Sequence, residues 1–191
     1  AAKHPKSFVS LDDADHLLSH EADSRYAGRV LAAWASRYLP EVAPPDALEA
    51  DHGEVVARTA GGGFRTDVRL GKHPLVADEP RSVGGTDLGP TPYDLLSAAL
   101  ATCTSMTLRM YADHKSLGLE SATVRVEHDK IHATDCVDCE TADGRIDEFR
   151  RSISLEGDLT EAQRERMLEI ADRCPVHRTL HGEVKVRSRL V

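Results

Sequence analysis

Aromatic residues are scarce in this chain, at 4% of 191 residues, with a single Trp. Proteins that hold single-stranded nucleic acid use rings as stacking platforms, and so few of them do not supply one. Positive charge is short as well: 24 Lys and Arg face 32 Asp and Glu, a net charge of −8. No segment concentrates Lys and Arg without interleaved acids, which argues against a nucleic-acid partner. Long hydrophobic runs are missing too. A membrane helix needs about 18 or more successive apolar residues, and the most apolar stretch, from Tyr93 to Tyr111, is interrupted by Ser, Thr and Arg109. No membrane partner is expected. The first residues, Ala1-Ala-Lys-His-Pro5, form no apolar leader. Four cysteines in such a chain are expected in a reducing cytoplasm, where thiols serve catalysis or metals more often than stapling.

What is present is enough apolar residue, 40%, for one packed domain and something more. Ser7 to Leu11 reads as a short strand, and Ala22 to Leu39 as a helix with Tyr26, Val30 and Trp34 at helical spacing. Pro40, Pro44 and Pro45 end it, so residues 1–40 form one segment and 41–51 a linker. From residue 52 to 191 the pattern changes. Glu54–Thr59 and Phe64–Leu70 flank Gly61-Gly-Gly63, a hairpin signal, and His73–Ala77 is a third strand. A Gly-rich loop, Val83 to Gly89, leads into a helix with Thr91 as N-cap, Pro92 in the first position, Asp94 where its side chain can reach back to the cap or favour the dipole, and Gly118 at the C-terminal left-handed position. Strands over Thr123–Ile131 and Arg151–Leu155 follow. Thr160-Glu-Ala-Gln163 is a capping box opening a helix to about Cys174, and Glu183–Leu190 alternates as a closing strand. The order predicts an α+β domain with antiparallel sheets.

On the first of these helices Leu96, Ala99, Leu100, Cys103, Met106, Thr107 and Met110 share one face. A cysteine there is by position a small core hydrophobe. Against that, Cys174-Pro175 breaks its own helix where a thiol can project to another element. Arg173, His177, Arg178 and His181 also lie close in sequence and would lower a thiol pKa if they faced it.

The run Gly84-Gly-Thr-Asp-Leu-Gly-Pro-Thr-Pro-Tyr-Asp-Leu-Leu-Ser-Ala-Ala-Leu-Ala-Thr-Cys103, with Asp172-Arg-Cys-Pro-Val176 later, resembles the OsmC/Ohr family of thiol peroxide reductases over residues 52–191. The resemblance implies antiparallel sheets around a buried central helix that carries Cys103, in an intertwined homodimer. It implies a Cys103 thiolate that attacks the O–O bond of an organic hydroperoxide, giving an alcohol and a sulfenic acid. Cys174 would condense with that acid to a disulfide, which an external dithiol reduces; no cofactor is implied. The family also uses a hairpin arginine and a glutamate on the cysteine helix. Here the arginine is Arg58 or Arg65, with Arg65 favoured, and Tyr93 stands in the glutamate position with Asp94 beside it. A non-enzymatic member that senses oxidation or binds an apolar ligand is the alternative that Tyr93 favours.

His132, Cys136 and Cys139 form a second constellation, a C-x-x-C with a nearby imidazole. It fits an exposed loop, a local disulfide or redox pair, or an incomplete metal site. His177 and His181 have metal-capable spacing, with surface histidines the plainer reading. Residues 1–40 are similar to the last strand and helix of an α/β-hydrolase, in which His16 would be the catalytic histidine. No G-x-S-x-G elbow accompanies it, so His16 alone cannot catalyse. The segment is then an inert remnant of a hydrolase–OsmC fusion, or an ordinary helical extension. In a fusion, this chain would be the accessory half.

Overall fold

The computed structural model describes residues 7–39, 48–136, 141 and 143–190. These fall into two units, 1–47 and 48–191. In the first unit, α1 (Glu21–Ala35) buries no residue, and Ser7–Leu11 forms no strand among the described residues. Most of the expected linker lies outside the described residues.

The second unit holds β1 (Val55–Thr59), β2 (Thr66–Leu70), β3 (His73–Ala77), α2 (Pro92–Lys115), β4 (Gly118–His132), β5 (Arg145–Asp158), α3 (Glu161–Ala171) and α4 (Pro175–Leu180). β1, β2 and β3 form an antiparallel meander. Its first turn uses Gly61 and Gly63 at φ 77° and 92°, where a side chain would clash with its own backbone. β4 and β5 are a long antiparallel pair running from Gly118 opposite Asp158 to His132 opposite Arg145. Both strands extend beyond the apolar alternation, since ladder hydrogen bonds persist where one face is solvated.

α2, α3 and one face of the β4–β5 pair enclose the core of Leu108, Ala112, Leu119, Met167, Ile170 and Ala171. The buried stripe of α2 is Leu100, Thr104, Leu108 and Ala112. This corrects the expected face: Met106 and Met110 are 65% and 71% exposed, and Cys103 lies at the stripe's edge. The helix ends as a left-handed turn at Ser116, not Gly118, which instead opens β4. Glu183–Leu190 is exposed and pairs with none of the described strands.

The entry to α2 is organised by Asp78, only 2% exposed. Its carboxylate accepts the Thr86 hydroxyl and the N–H groups of Glu79, Thr86 and Leu88, gathering the Gly-rich loop. The Thr86 hydroxyl chiefly, with those N–H groups, outweighs the effect of burial and holds the Asp78 carboxyl at about 2, below its ordinary 3.8. A depressed folded-state value gives stability that is complete above pH 3.8 and is lost as pH falls toward about 2. Asp78→Asn should therefore unfold more easily than wild type at neutral pH, with the two converging in strong acid; parallel urea midpoints at every pH would refute this.

Candidate functional site

The thiol of Cys174 is placed by an interrupted helix. α3 stops at Ala171 because Pro175 forces the residue before it out of the helical region, and Cys174 is extended at φ −58°, ψ 135°. Pro175 then starts α4 in the position where a missing N–H costs nothing. Cys174 is thus the N-cap of a new helix rather than the end of the previous one. Its sulfur accepts the His177 N–H at 3.4 Å, the place where Ser, Thr or Asp would supply oxygen.

That cap turns the sulfur toward α2. Cys103 is half-buried, Cys174 fully buried, and both are free. Cys103 and Cys174 lie near enough for each thiol to shift the titration of the other. Burial pushes the Cys103 thiol up, more than Val176 N–H and the Thr107 hydroxyl pull it down, and Cys174 adds to the rise. For Cys174, burial also pushes up, but the His177 N–H, the Thr104 hydroxyl and the Cys103 thiol outweigh it and hold the thiol below its usual value. The arrangement can carry thiol–disulfide exchange, with negative charge better tolerated on Cys174.

Thr104 and Arg151 are the residues that the sequence reading missed. Thr104 donates to the Cys174 sulfur at 3.6 Å. Its oxygen accepts from Arg151 at 3.1 Å, and Arg151 also donates to the Ala171 carbonyl at 3.1 Å and pairs with Asp172 at 2.6 Å. The signal was available: Arg151 occupies the inward parity of β5, with Phe149, Ile153 and Leu155. The nearby basic side chains do not take the role expected of them. Arg173, Arg178 and His181 are exposed, and burial first, then His181 and Arg151, keep the His177 imidazole below its usual value. From His177 it is the backbone N–H that serves the sulfur.

A cavity of about 860 Å³ opens beside this network, with Leu96, Leu100, Phe149 and Leu180 on its apolar side and Arg151 and His177 on its polar side. Tyr93 also lines it. The Tyr93 ring stacks on His128 at 4.2 Å, His128 bonds to Asp147 at 2.8 Å, and Lys130 stands 5.4 Å over the ring.

Of the remaining candidates, Cys136 also lines this cavity. Asp94 completes the capping box with Thr91. Arg65 pairs with Asp67 at 3.0 Å on the exposed hairpin, and Arg58 lies on β1. His132 ends β4, and Cys136 is disulfide-bonded, while Cys139 lies outside the described residues. Among the described residues no group of three His, Cys, Asp or Glu is placed to hold a metal, and no helix is long and apolar enough to cross a membrane. His16 is exposed in a turn of the first unit.

The sequence matches the family model for OsmC-like proteins over residues 85–189, more than half of the chain. The chain belongs to the OsmC-like protein family. Its solved neighbours agree in fold. An organic hydroperoxide resistance protein OsmC from Legionella pneumophila is 21% identical, with TM-score 0.51 over 68% of this chain and 90% of that one. An OsmC like protein from Mycoplasma pneumoniae is 18% identical, with TM-score 0.53 over 71% and 90%. An organic hydroperoxide resistance protein from Elizabethkingia anophelis is 19% identical, with TM-score 0.51 over 67% and 86%. The mixed α+β architecture with antiparallel sheets is therefore that of the OsmC-like fold. Comparison of the sequence with curated proteins found no match.

Proposed function

We propose that this OsmC-like protein reduces organic hydroperoxides, with Cys103 as the attacking thiol and Cys174 as the resolving one. The observation that carries this reading is a pair of free thiols, one half-buried and one fully enclosed, each of which shifts the titration of the other. Exposure favours Cys103 as the sulfur that meets peroxide, and the cavity that Arg151 and His177 line offers Leu96, Leu100 and Phe149 to an organic tail. The Cys103 thiolate takes the distal peroxide oxygen, the O–O bond breaks, and the alkoxide leaves as the alcohol. The Cys174 thiolate then attacks the sulfenic sulfur and expels hydroxide, and an external dithiol reduces the disulfide. No resident cofactor takes part, and the setting proposed is the cytoplasm.

A homodimer belongs to the same reading. The exposed Met106 and Met110 of α2 and the unpaired, alternating Glu183–Leu190 segment are apolar features that a second copy would cover. For residues 1–40 we keep the reading of an inert hydrolase remnant, and this chain would then be the accessory half of a fusion.

One observation favours a slower, sensing protein. Tyr93 replaces the family's glutamate and is held in the His128–Lys130 cluster, while burial raises the Cys103 thiol. Both readings share the disulfide. Stoichiometric cumene hydroperoxide should link Cys103 to Cys174 in peptide maps, and recovery of both as free thiols would sink the proposal.

A further inference from the structure

The thiol pair is asymmetric. Cys174 is sealed and Cys103 is not. Cys174 receives the Thr104 hydroxyl at 3.6 Å and the His177 N–H at 3.4 Å. The hydroxyl is also aimed. Thr102 and Thr107 donate back to carbonyls of their own helix, at 2.7 and 2.8 Å from Ala98 and Cys103, as Thr normally does inside a helix. Thr104 does not. Arginine can only donate, so Arg151 occupies a lone pair of the Thr104 oxygen and the hydroxyl hydrogen is left to face the Cys174 sulfur. Asp172 and the Ala171 carbonyl in turn fix the guanidinium, whose side chain is 11% exposed. The groups facing Cys174 are thus Cys103 from α2, Thr104 with Arg151 behind it, and the backbone N–H groups of Val176 and His177 from α4.

We infer that the Asp172–Arg151–Thr104 relay dictates which sulfur of the Cys103–Cys174 disulfide is released on reduction: Cys174 leaves and Cys103 takes the incoming thiol. This rests on the reading that the two cysteines cycle through a disulfide. The incoming thiolate gives its electron pair to the Cys103 sulfur, and a new S–S bond forms there. The Cys103–Cys174 bond breaks, and its pair goes to the Cys174 sulfur, where the Thr104 O–H and His177 N–H receive the charge. The second thiol of a dithiol donor, as thiolate, then attacks the mixed disulfide and frees the Cys103 thiolate. Thr104 touches the departing sulfur; Arg151 and Asp172 are positioning residues that act through it. Release is faster for the better-stabilised leaving thiolate and for attack at the accessible sulfur.

The test avoids peroxide. The 191-residue chain is oxidised with the thiol oxidant diamide and reduced with glutathione, and the mixed disulfide is trapped and mapped by peptide. In wild type glutathione should sit on Cys103. Thr104→Val should slow reduction about threefold or more, the size expected when a leaving thiol's pKa rises by about one unit. Thr104→Ser, which keeps the hydroxyl, should restore the rate, and Arg151→Gln should move it toward the Val variant. Glutathione on Cys174, a Val variant reduced at the wild-type rate, a Ser variant as slow as the Val one, or no Cys103–Cys174 disulfide after diamide would each overturn the inference. The wild-type map decides the matter even if a variant fails to fold. A chain inert toward peroxides that still gives the expected results would fault the proposed activity and leave the relay standing.

Discussion

Cys103→Ser is expected to abolish dithiol-dependent hydroperoxide consumption, a fall on the order of a thousandfold or more, because it removes the covalent step itself. The substitution changes one atom at a half-buried position on the edge of the α2 stripe, so packing is kept and a loss of rate reports chemistry. Serine remains protonated at neutral pH and offers no thiolate. Cys174→Ser separates the roles: the first equivalent of peroxide is still reduced, and the cycle then stalls with a sulfenic acid on Cys103. Steady-state peroxide consumption with several dithiol donors, beside single-turnover measurements, reads both. Equal steady-state rates for wild type and Cys103→Ser would return Cys103 to the core. A wild type that forms the disulfide but turns over slowly with every donor would favour the sensing reading.

The second large effect concerns what holds that helix in place. Leu108 is fully buried, one turn beyond Thr104, in contact with the cluster that joins α2 to Met167, Ile170 and Ala171 of α3. Leu108→Ala leaves a cavity that a core bounded by a strand pair and two helices cannot fully close, at a cost of roughly 3 kcal/mol. Against a total stability of about 5–15 kcal/mol this is a large fraction, visible as a lower urea midpoint. α3 leads directly into Cys174, so the same substitution loosens the placement of the thiols and should slow their linkage by diamide. A midpoint within about 0.5 kcal/mol of wild type, which is surface behaviour, would show that the Leu108 contacts do not hold the domain together.

The features that could be read directly from the chain are the short-range ones. Thr91 with Asp94 and Thr160 with Gln163 are capping boxes as expected, since cap and capped N–H are three residues apart. The Gly61–Gly63 turn and the three meander strands follow from residues that are neighbours in sequence. The motif run ending at Cys103 pointed to the OsmC-like fold, and the family match and solved neighbours bear that fold out. Errors came where an element's environment, not its pattern, decides the outcome. Alternation in Glu183–Leu190 does not make a strand without a partner ladder. Long apolar side chains drew the α2 face toward Met106 and Met110, whereas packing against β4 and α3 buries Leu100, Thr104 and Leu108.

The site divides in the same way. Cys174-Pro175 is enough to break a helix and present a capping sulfur, because the clash before proline is local. Nothing in spacing shows that Arg151 reaches Thr104, a contact that spans 47 residues. It exists because β5 lays its inward positions against α2 while the chain between α3 and α4 turns back over both. Residue order was sufficient to select two cysteines. Their unequal chemistry, with one thiol enclosed and served by donors and the other left at the stripe's edge, comes from elements far apart in the chain packing together.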